Sequence, residues 1–298
     1  MFEKMWEEFC SATKGKGIKN LLLSQNGEII AQLHYDDDCL RNVYSVTKSF
    51  TSTAVGIAQE QGILSIEENI VDCFPKEIPE NPSEYLKHLK VKHLLSMTMG
   101  QDKAYFMSDT RSRMQDRDWV RFALSRPFAQ EPGTKFCYTN AGPYLLGILT
   151  ARRAGKDLAS YLYEKIFEPM GFSFPSWEVD PDRNYFGSSG LMATTEQLLK
   201  FGQLYLNHGS WQGSQLVPES WVSQVQVPFI ETEGGEGYGY GFWTGPGGTY
   251  RADGKYGQYS IIMEEKQAVL AVTADCRNPR EELLKPFWEM VYPEIKGH

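Results

Sequence analysis

The chain has 298 residues, of which 41% are hydrophobic and 23% charged, and its formal net charge is −8. A chain of this length and composition can bury a sizeable core, arranged as one large domain or two interleaved ones. The acidic balance argues against nucleic acid or an anionic membrane as a partner, since both require a basic face.

Targeting and metal-binding signals are weak throughout the sequence. No apolar run approaches the ~20 residues needed to span a bilayer, and residues 1–8 are acidic and amphipathic rather than a signal-peptide core. Five scattered cysteines then predict reduced thiols and a cytoplasmic location. No His-x-x-x-His or Cys-x-x-Cys pair and no phosphate-binding glycine loop occurs, so we expect neither metal nor cofactor. We expect His88 and His93 at the surface.

The first elements are a hairpin and a long apolar helix. Two apolar runs within residues 20–34 are joined by Asn26-Gly27, a strong turn signal. An almost uncharged helix follows Ser45 and is predicted to end near Gly62, which indicates a buried helix.

The middle of the chain is mostly helical, with Pro- and Gly-rich joints. Patterns predict helices at 91–97, 118–125 and 141–154, the last closed by Gly155, and another at 157–167.

Strand-like runs return towards the C-terminus. Thr194 and Gln197 form a capping-box pattern that opens a helix ending at Gly209. Three strand-like runs follow a glycine- and aromatic-rich tract, and a last helix begins at Pro279. The strand-like runs lie around 241–243, 259–264 and 268–273.

Strands at both ends and helices between them predict an α+β fold, with one antiparallel sheet assembled from both chain ends and flanked by helices. We expect residues 1–63 and 186–298 to form the α/β part and residues 64–185 a mostly helical insertion. The active site is expected between these two parts.

Ser45-Val46-Thr47-Lys48 places a hydroxyl and an amine three residues apart at the start of the buried helix. Residues at this spacing share one helix face, so Lys48 can accept the Ser45 proton and make a nucleophile without histidine. The alternative is a small helix-start residue followed by a surface lysine. The same pattern at Ser11 and Lys14 sits beside a glycine-rich helix end, and we interpret it as a chance match.

Tyr138-Thr139-Asn140 lies in a loop just before a helix, where functional residues often gather. A tyrosine hydroxyl can give and accept a proton, and the Asn140 amide can orient a substrate carbonyl. The alternative is a packed surface tyrosine. A second match, Tyr205-Leu206-Asn207, falls on the apolar stripe of its helix and predicts a core residue.

A third cluster, Ala252 to Gln258, enters an edge-like strand and contains Gly254 and Gly257. Glycine there allows a substrate backbone to approach, and a free strand N–H can face a developing oxyanion. The alternative is a simple hairpin turn at Asp253-Gly254.

In this order the three clusters resemble the serine beta-lactamase and penicillin-binding-protein superfamily. More narrowly they resemble its class C-like branch, with D-alanyl-D-alanine carboxypeptidases, esterases and 6-aminohexanoate-dimer hydrolases. Further matches cover nearly the whole chain, at residues 93–100, 131–134 and 190–206. The resemblance implies a beta-lactamase/transpeptidase-like fold.

The resemblance also implies roles for individual residues. Ser45 is expected to be acylated, with Lys48 as the general base, Tyr138 as the proton relay and Asn140 in contact with substrate. The backbone N–H groups of Ser45 and of Lys255, which follows Gly254, are expected to form the oxyanion hole.

The third cluster departs from the Lys-[Ser/Thr]-Gly of beta-lactamases in this branch, because it reads Ala252-Asp253-Gly254. A second register, Lys255-Tyr256-Gly257, restores a lysine but places tyrosine at the hydroxyl position. The first register removes a cation that would hold an antibiotic's carboxylate and help to keep Lys48 neutral.

The leading hypothesis is therefore a serine hydrolase that acts on a small ester, amide or peptide. Beta-lactams or D-amino-acid peptides are alternative substrates for the same residues. A non-catalytic sensor or binding protein that kept the fold is the alternative from another class. Pocket walls are expected from Tyr105, Phe106, Tyr240 and Trp243, with core packing the alternative for Trp243. The sequence leaves the oligomeric state open.

Overall fold

An eight-stranded antiparallel sheet lies at the centre of the part of the chain, residues 2–297, that the computed structural model describes. The strand order is β2-β1-β8-β7-β6-β5-β4-β3. Strands β1 to β8 span Ile18–Gln25, Glu28–His34, Ile230–Glu231, Gly237–Tyr238, Trp243–Thr244, Tyr250–Gly254, Gln258–Met263 and Ala268–Ala274. Two separate two-residue ribbons pair Arg41–Asn42 with Met192–Ala193 and Ser210–Trp211 with Ser214–Gln215.

Helices surround this sheet and fill the middle of the chain. Helices α1 to α11 span Phe2–Thr13, Thr47–Glu60, Ile70–Cys73, Glu84–His88, Val91–Leu95, Ser108–Arg111, Trp119–Leu124, Ala141–Ala154, Leu158–Leu162, Thr195–Leu206 and Glu219–Val225. Short π-helical turns span Tyr163–Phe167, directly after α9, and Arg280–Leu284 and Phe287–Val291 near the C-terminal end.

The two ends of the chain meet in the sheet, as predicted. Strand β1 pairs antiparallel with β8, so that Leu22 faces Ala271. Asn26 and Gly27 both take positive φ, at 52° and 83°, which is the geometry a tight β1–β2 turn requires. The α+β architecture with one antiparallel sheet from both chain ends is therefore confirmed.

Each face of the sheet carries its own apolar layer. One face packs on α1 and the C-terminal helical turns, where Phe9 and Phe287 are fully buried. The other packs on α2 and α10, and there the Phe50 and Phe201 rings stack at 3.9 Å between centroids. Strand alternation between the faces fixes which side chains can reach the α2 side.

Helix α2 is buried on all sides from Thr47 to Ala58. Its hydroxyls are satisfied by backbone carbonyls, for example Ser49 Oγ to the Gly241 carbonyl and Thr51 Oγ1 to the Gly187 carbonyl, both at 2.7 Å. A buried helix with paired hydroxyls cannot shift without breaking these bonds, so α2 is a rigid support for its first turn.

Predicted helix boundaries agree with the structure to within a few residues. The helix at Ala141–Ala154 ends at Gly155, whose φ is +68°, and the Thr194–Gln197 capping box forms as expected. The sequence analysis did not predict β6 as a strand. The glycine at its end, Gly254, was noticed instead as part of a turn-like cluster.

Two side-chain predictions were wrong. His93 is buried rather than exposed, with 8% of its surface accessible, because its Nδ1 accepts a hydrogen bond from the Lys90 backbone N–H at the start of α5. Phe106 is not a pocket wall: it is 1% exposed and packs on Trp119 and Tyr144.

Among residues 2–297, no helix is both long and apolar enough to cross a bilayer.

Candidate active site

Ser45 lies in a 3-10 turn, Tyr44–Val46, immediately before α2. Tyr44 takes φ +47°, a left-handed conformation that is uncommon for an aromatic residue, and its N–H donates to Asn42 Oδ1 at 2.8 Å. Such turns persist only where their surroundings hold them. Ser45 is consequently partly exposed at the N-terminal end of the buried helix α2.

Lys48 lies beneath Ser45, one helical turn along, and is 2% exposed. Its Nζ is 2.9 Å from Ser45 Oγ, 2.7 Å from Asn140 Oδ1 and 2.8 Å from the Ser188 carbonyl oxygen. The structure thus brings Ser45, Lys48 and Asn140 together, as the sequence predicted.

The partners of Lys48 suit a neutral amine. Asn140 Nδ2 donates to the Phe106 carbonyl at 2.9 Å, which directs its Oδ1 towards Lys48. Asn140 Oδ1 and the Ser188 carbonyl are acceptors only, so they take the two N–H bonds of a neutral amine. In the structure Nζ also donates to Ser45 Oγ; once the amine is neutral, its lone pair can take that position and accept the Ser45 proton.

The electrostatics point the same way. Burial lowers the pKa of Lys48 well below its ordinary value, and the nearby Arg111 cation lowers it further. A lysine that has lost its proton near neutral pH can act as a general base.

Tyr138 completes this cluster. Its ring centroid is 5.0 Å from Lys48 Nζ. Burial raises the pKa of the Tyr138 hydroxyl, Asp253 raises it further, and the nearby Ser45 side chain lowers it. Tyr138 therefore holds its proton and can donate it when a leaving group departs.

The loop that carries Tyr138 and Asn140 is pinned at several points. The Cys137 N–H donates to the Met97 carbonyl at 2.8 Å, and the Asn140 N–H donates to the Tyr105 carbonyl at 3.1 Å. Asn140 also precedes α8 directly, so the first turn of that helix fixes its position.

Comparisons with known proteins decide the family. The model of the family described as Beta-lactamase matches residues 20–288. The chain belongs to the Beta-lactamase family. It is 25% identical over 134 residues to a beta-lactamase of Yersinia enterocolitica, covering 45% of this chain and 33% of that one. It is 23% identical over 214 residues to an uncharacterised protein of Alkalihalophilus pseudofirmus, covering 64% and 56%.

The chain therefore spans about half or less of the length of these curated relatives. Solved structures match over more of their length. A Bacillus anthracis protein assigned as a 6-aminohexanoate-dimer hydrolase superposes with a TM-score of 0.79 at 20% identity, covering 95% of this chain and 79% of that chain. The octameric penicillin-binding protein homologue of Pyrococcus abyssi gives 0.71 at 19%, covering 97% and 78%. EstCE1, a hydrolase with promiscuous acyltransferase activity, gives 0.74 at 16%, covering 93% and 94%. At these identities the likeness shows the shared fold.

In this Beta-lactamase-family chain, Gly254 ends β6 beside the Ser45 turn. A Cβ atom at Gly254 would overlap the Val43 carbonyl oxygen, so only glycine lets β6 come this close. Strand β5 pairs with β6 at Tyr250 and Arg251 alone, and β6 continues past it to Gly254. This geometry favours the Ala252-Asp253-Gly254 register.

Residues 255–257 form the turn that follows β6. Tyr256 takes φ +67°, its ring meets the Tyr44 ring edge-on at 5.3 Å, and the Gly257 N–H donates to the Gly254 carbonyl at 3.2 Å. Lys255 is exposed, with its Nζ 4.7 Å from the Tyr256 ring centroid. Its backbone N–H as half of an oxyanion hole stays a prediction.

The strand lacking the family lysine carries a paired charge network instead. Arg251, 2% exposed, bonds Asp253 Oδ2 at 3.0 Å and Glu236 Oε1 at 2.8 Å, and Arg280 bonds Glu236 Oε2 at 3.0 Å. The network flanks Trp243, whose ring stacks on Tyr138 at 5.8 Å. Two cations and two carboxylates cancel, so the network supplies no free cation to the site.

Sequence reasoning missed Ser188, Arg111 and this network. The tight Gly187-Ser188-Ser189-Gly190 run just ahead of a recognised segment was the available signal for Ser188. Arg111 and Arg251 had none, because their positions depend on tertiary packing between distant segments.

Proposed function

We propose that this chain is a serine hydrolase that cleaves an ester or amide through an acyl-enzyme on Ser45. Lys48 is the general base and Tyr138 the proton relay. The fold and family support hydrolase chemistry, and the clustered side chains support this assignment of roles. Ser45 and Lys48 come from residues 1–63 and Tyr138 and Asn140 from residues 64–185, which supports a site between the two proposed parts of the chain.

One observation carries the proposal: a buried Lys48 whose Nζ lies 2.9 Å from Ser45 Oγ and whose other two partners are acceptors. A surface lysine would be solvated and mobile. A lysine held in this way has a lowered pKa, and after it loses a proton its nitrogen lies within reach of the Ser45 hydroxyl proton.

The proposed reaction has two halves. Ser45 Oγ attacks the substrate carbonyl carbon while its proton passes to Lys48 Nζ. The tetrahedral intermediate collapses, the bond to the leaving group breaks, and Tyr138 delivers a proton to that group. Lys48 passes its proton to the Tyr138 oxygen, which restores both groups. Water then attacks the acyl carbon and gives a proton to Lys48; the bond to Ser45 Oγ breaks, and that proton returns to Ser45 Oγ as the acid leaves.

The third cluster favours substrates without a carboxylate next to the scissile bond. Ala252 stands at the lysine position of the motif, and Asp253, at the hydroxyl position, is held by Arg251. Beta-lactams and D-amino-acid peptides are alternative substrates for the same Ser45. Turnover of nitrocefin compared with a short-chain p-nitrophenyl ester separates them, and we expect the ester to be the better substrate.

Replacement of the nucleophile tests the proposal. The Ser45→Ala protein is expected to lose ester turnover, while the matched Ser11→Ala protein keeps it. If Ser45→Ala hydrolyses p-nitrophenyl esters as fast as the parent, the proposal is wrong. If the parent neither turns over esters nor forms a covalent adduct with a fluorophosphonate or penicillin, the chain is a binding protein instead.

A further inference from the structure

The turn at residues 186–190 supports Lys48 from the side away from Ser45. The Ser188 carbonyl accepts from Lys48 Nζ, and the Ser188 hydroxyl donates to the Asn140 carbonyl. The turn is also tied to Glu178: Glu178 N donates to the Gly190 carbonyl and Phe186 N to the Glu178 carbonyl. A displacement of Glu178 would therefore move a group that Lys48 contacts.

Arg111, the last residue of α6, reaches across to this turn. Its Nη2 donates to both carboxylate oxygens of Glu178, at 2.8 and 2.9 Å. Its guanidinium carbon lies 4.1 Å from the centroid of the Phe186 ring. The Arg111 side chain is 13% exposed, so its charge acts largely through protein rather than through water. Arg111 thus contacts the turn directly at Phe186 and is linked to Gly190 through Glu178.

We propose that Arg111 is a positioning residue for Lys48: it clamps the 186–190 turn and supplies the cation that the third cluster of this chain lacks. The inference rests on the proposed function, because it takes Lys48 as the base. The motif lysine is replaced by Ala252, and Arg251, held by Asp253 and Glu236, is not among the charges that shift the pKa of Lys48, whereas Arg111 is.

The physical reason is electrostatic. A cation near an amine disfavours the charged ammonium, so Arg111 adds to burial in lowering the pKa of Lys48. Glu178 partly cancels the Arg111 charge. The other titratable groups around Lys48 are Tyr138, which is in contact, and Asp253, which faces Tyr138 from β6.

Removal of one or the other partner of the Arg111–Glu178 ion pair should therefore shift the pKa of Lys48 in opposite directions. Removing the cation with Arg111→Gln raises the pKa of Lys48, so activity develops only at higher pH. Removing the anion with Glu178→Gln leaves Arg111 unopposed and lowers it. If the ion pair were only a structural clamp, both variants would lose activity without opposite shifts of the pH profile.

The experiment is the pH dependence of kcat/KM for p-nitrophenyl acetate between about pH 5 and pH 10. For Arg111→Gln we expect the acid limb to move to higher pH, with about a fivefold loss near pH 6 and an alkaline plateau within about twofold of the parent. For Glu178→Gln we expect the limb to move to lower pH. Arg111→Lys, which keeps the charge, should lie nearer the parent than Arg111→Gln does.

The exposed Arg113, two residues further along, provides the matched control, and Arg113→Gln should leave the limb in place. Circular dichroism checks that each variant is folded. If Arg111→Gln does not fold, Glu178→Gln and Arg111→Lys decide. The inference is overturned if the acid limb stays in place in the charge-changing variants or moves the same way in both. The proposed function, by contrast, fails if the parent itself shows no turnover that depends on Ser45.

Discussion

The chain contains Ser-x-x-Lys twice, and the two copies lie in opposite environments. Ser11 and Lys14 are both exposed at the end of α1, where the chain turns into solvent. Ser45 lies in the turn just before buried helix α2. Lys48 contacts Ser45 and two further acceptors, Asn140 Oδ1 and the Ser188 carbonyl. The four-residue pattern is the same, so burial and the partners of the lysine are what distinguish the proposed general base from a surface residue.

The two Tyr-x-Asn segments differ in the same way. Tyr205 is fully buried in the core, with its hydroxyl 2.7 Å from Thr53 Oγ1. Tyr138 is partly exposed, its ring lies 5.0 Å from Lys48 Nζ, and the Ser45 side chain influences the pKa of its hydroxyl. Tyr205 therefore belongs to the hydrophobic core, whereas Tyr138 lies beside Ser45 and Lys48 at the candidate site.

The nucleophile should show the largest contrast. Ser45→Ala removes the oxygen that forms the acyl-enzyme, so we expect ester turnover to fall by about 10³-fold or more. Ser11→Ala should change it by less than about twofold. Initial rates with p-nitrophenyl acetate measure both, and an equal loss in the two variants would remove the distinction between the copies.

Lysine replacement tests the base. Lys48→Met preserves much of the side-chain volume but has no basic nitrogen to accept the Ser45 proton, so kcat should fall by about 10² to 10⁴-fold. Lys14→Met, at the exposed copy, should be unaffected. If Lys48→Met stays folded by circular dichroism and retains parental kcat, Lys48 is not the base.

Tyrosine replacement separates the cleft from the core. Tyr138→Phe should slow turnover by about 10 to 100-fold through loss of the relay, with little change in stability. Tyr205→Phe should keep turnover but lower the free energy of unfolding by about 1 kcal/mol, because it removes a buried hydrogen bond to Thr53. Rates and urea unfolding of both variants check this, and the reverse pattern would refute the assignment.

Glycine replacement sharpens the position of the third cluster. A methyl group at Gly254 would overlap the Val43 carbonyl, so Gly254→Ala should displace β6 from the Ser45 turn and reduce kcat/KM by about tenfold. Gly62→Ala adds backbone strain through a positive φ but no overlap, so it separates a general loss of stability from displacement of β6. A fully active Gly254→Ala protein would mean that this approach is not needed.

The smallest effect concerns stability rather than rate. Burial lowers the pKa of His93 from 6.5 to about 4, so unfolding takes up a proton between these values. The stability from neutral His93 is full above about pH 6.5 and is lost as pH falls towards 4. Between pH 7 and pH 5 the parent should lose about 2 kcal/mol more than His93→Gln in urea unfolding. Equal losses would contradict the buried, neutral state of His93.

Local signals predicted much of this molecule. Turn chemistry at Asn26-Gly27, the Thr194 capping box and the Gly155 helix end each act within a few residues, so the sequence carries them directly. Short patterns that occur in the family order led to Ser45, Lys48, Tyr138 and Asn140 as the predicted site residues.

The remaining features depend on contacts between distant segments. Arg111 meets Glu178 across 67 positions, and Ser188 meets Lys48 across 140. His93 and Phe106 were misplaced because a local pattern does not reveal what packs over it. Strand β6 is short, and its pairing with β7 rather than its own residue pattern defines it.

The central claim is that Ser45, alone of the two Ser-x-x-Lys serines, is an activated nucleophile. Intact-mass analysis with peptide mapping after reaction with a fluorophosphonate tests it most directly, using the parent and the Lys48→Met protein. The account predicts one adduct per parent chain, located on Ser45, and a strongly slowed reaction in Lys48→Met. An adduct on Ser11, or labelling of Ser45 at the same rate without Lys48, would contradict it.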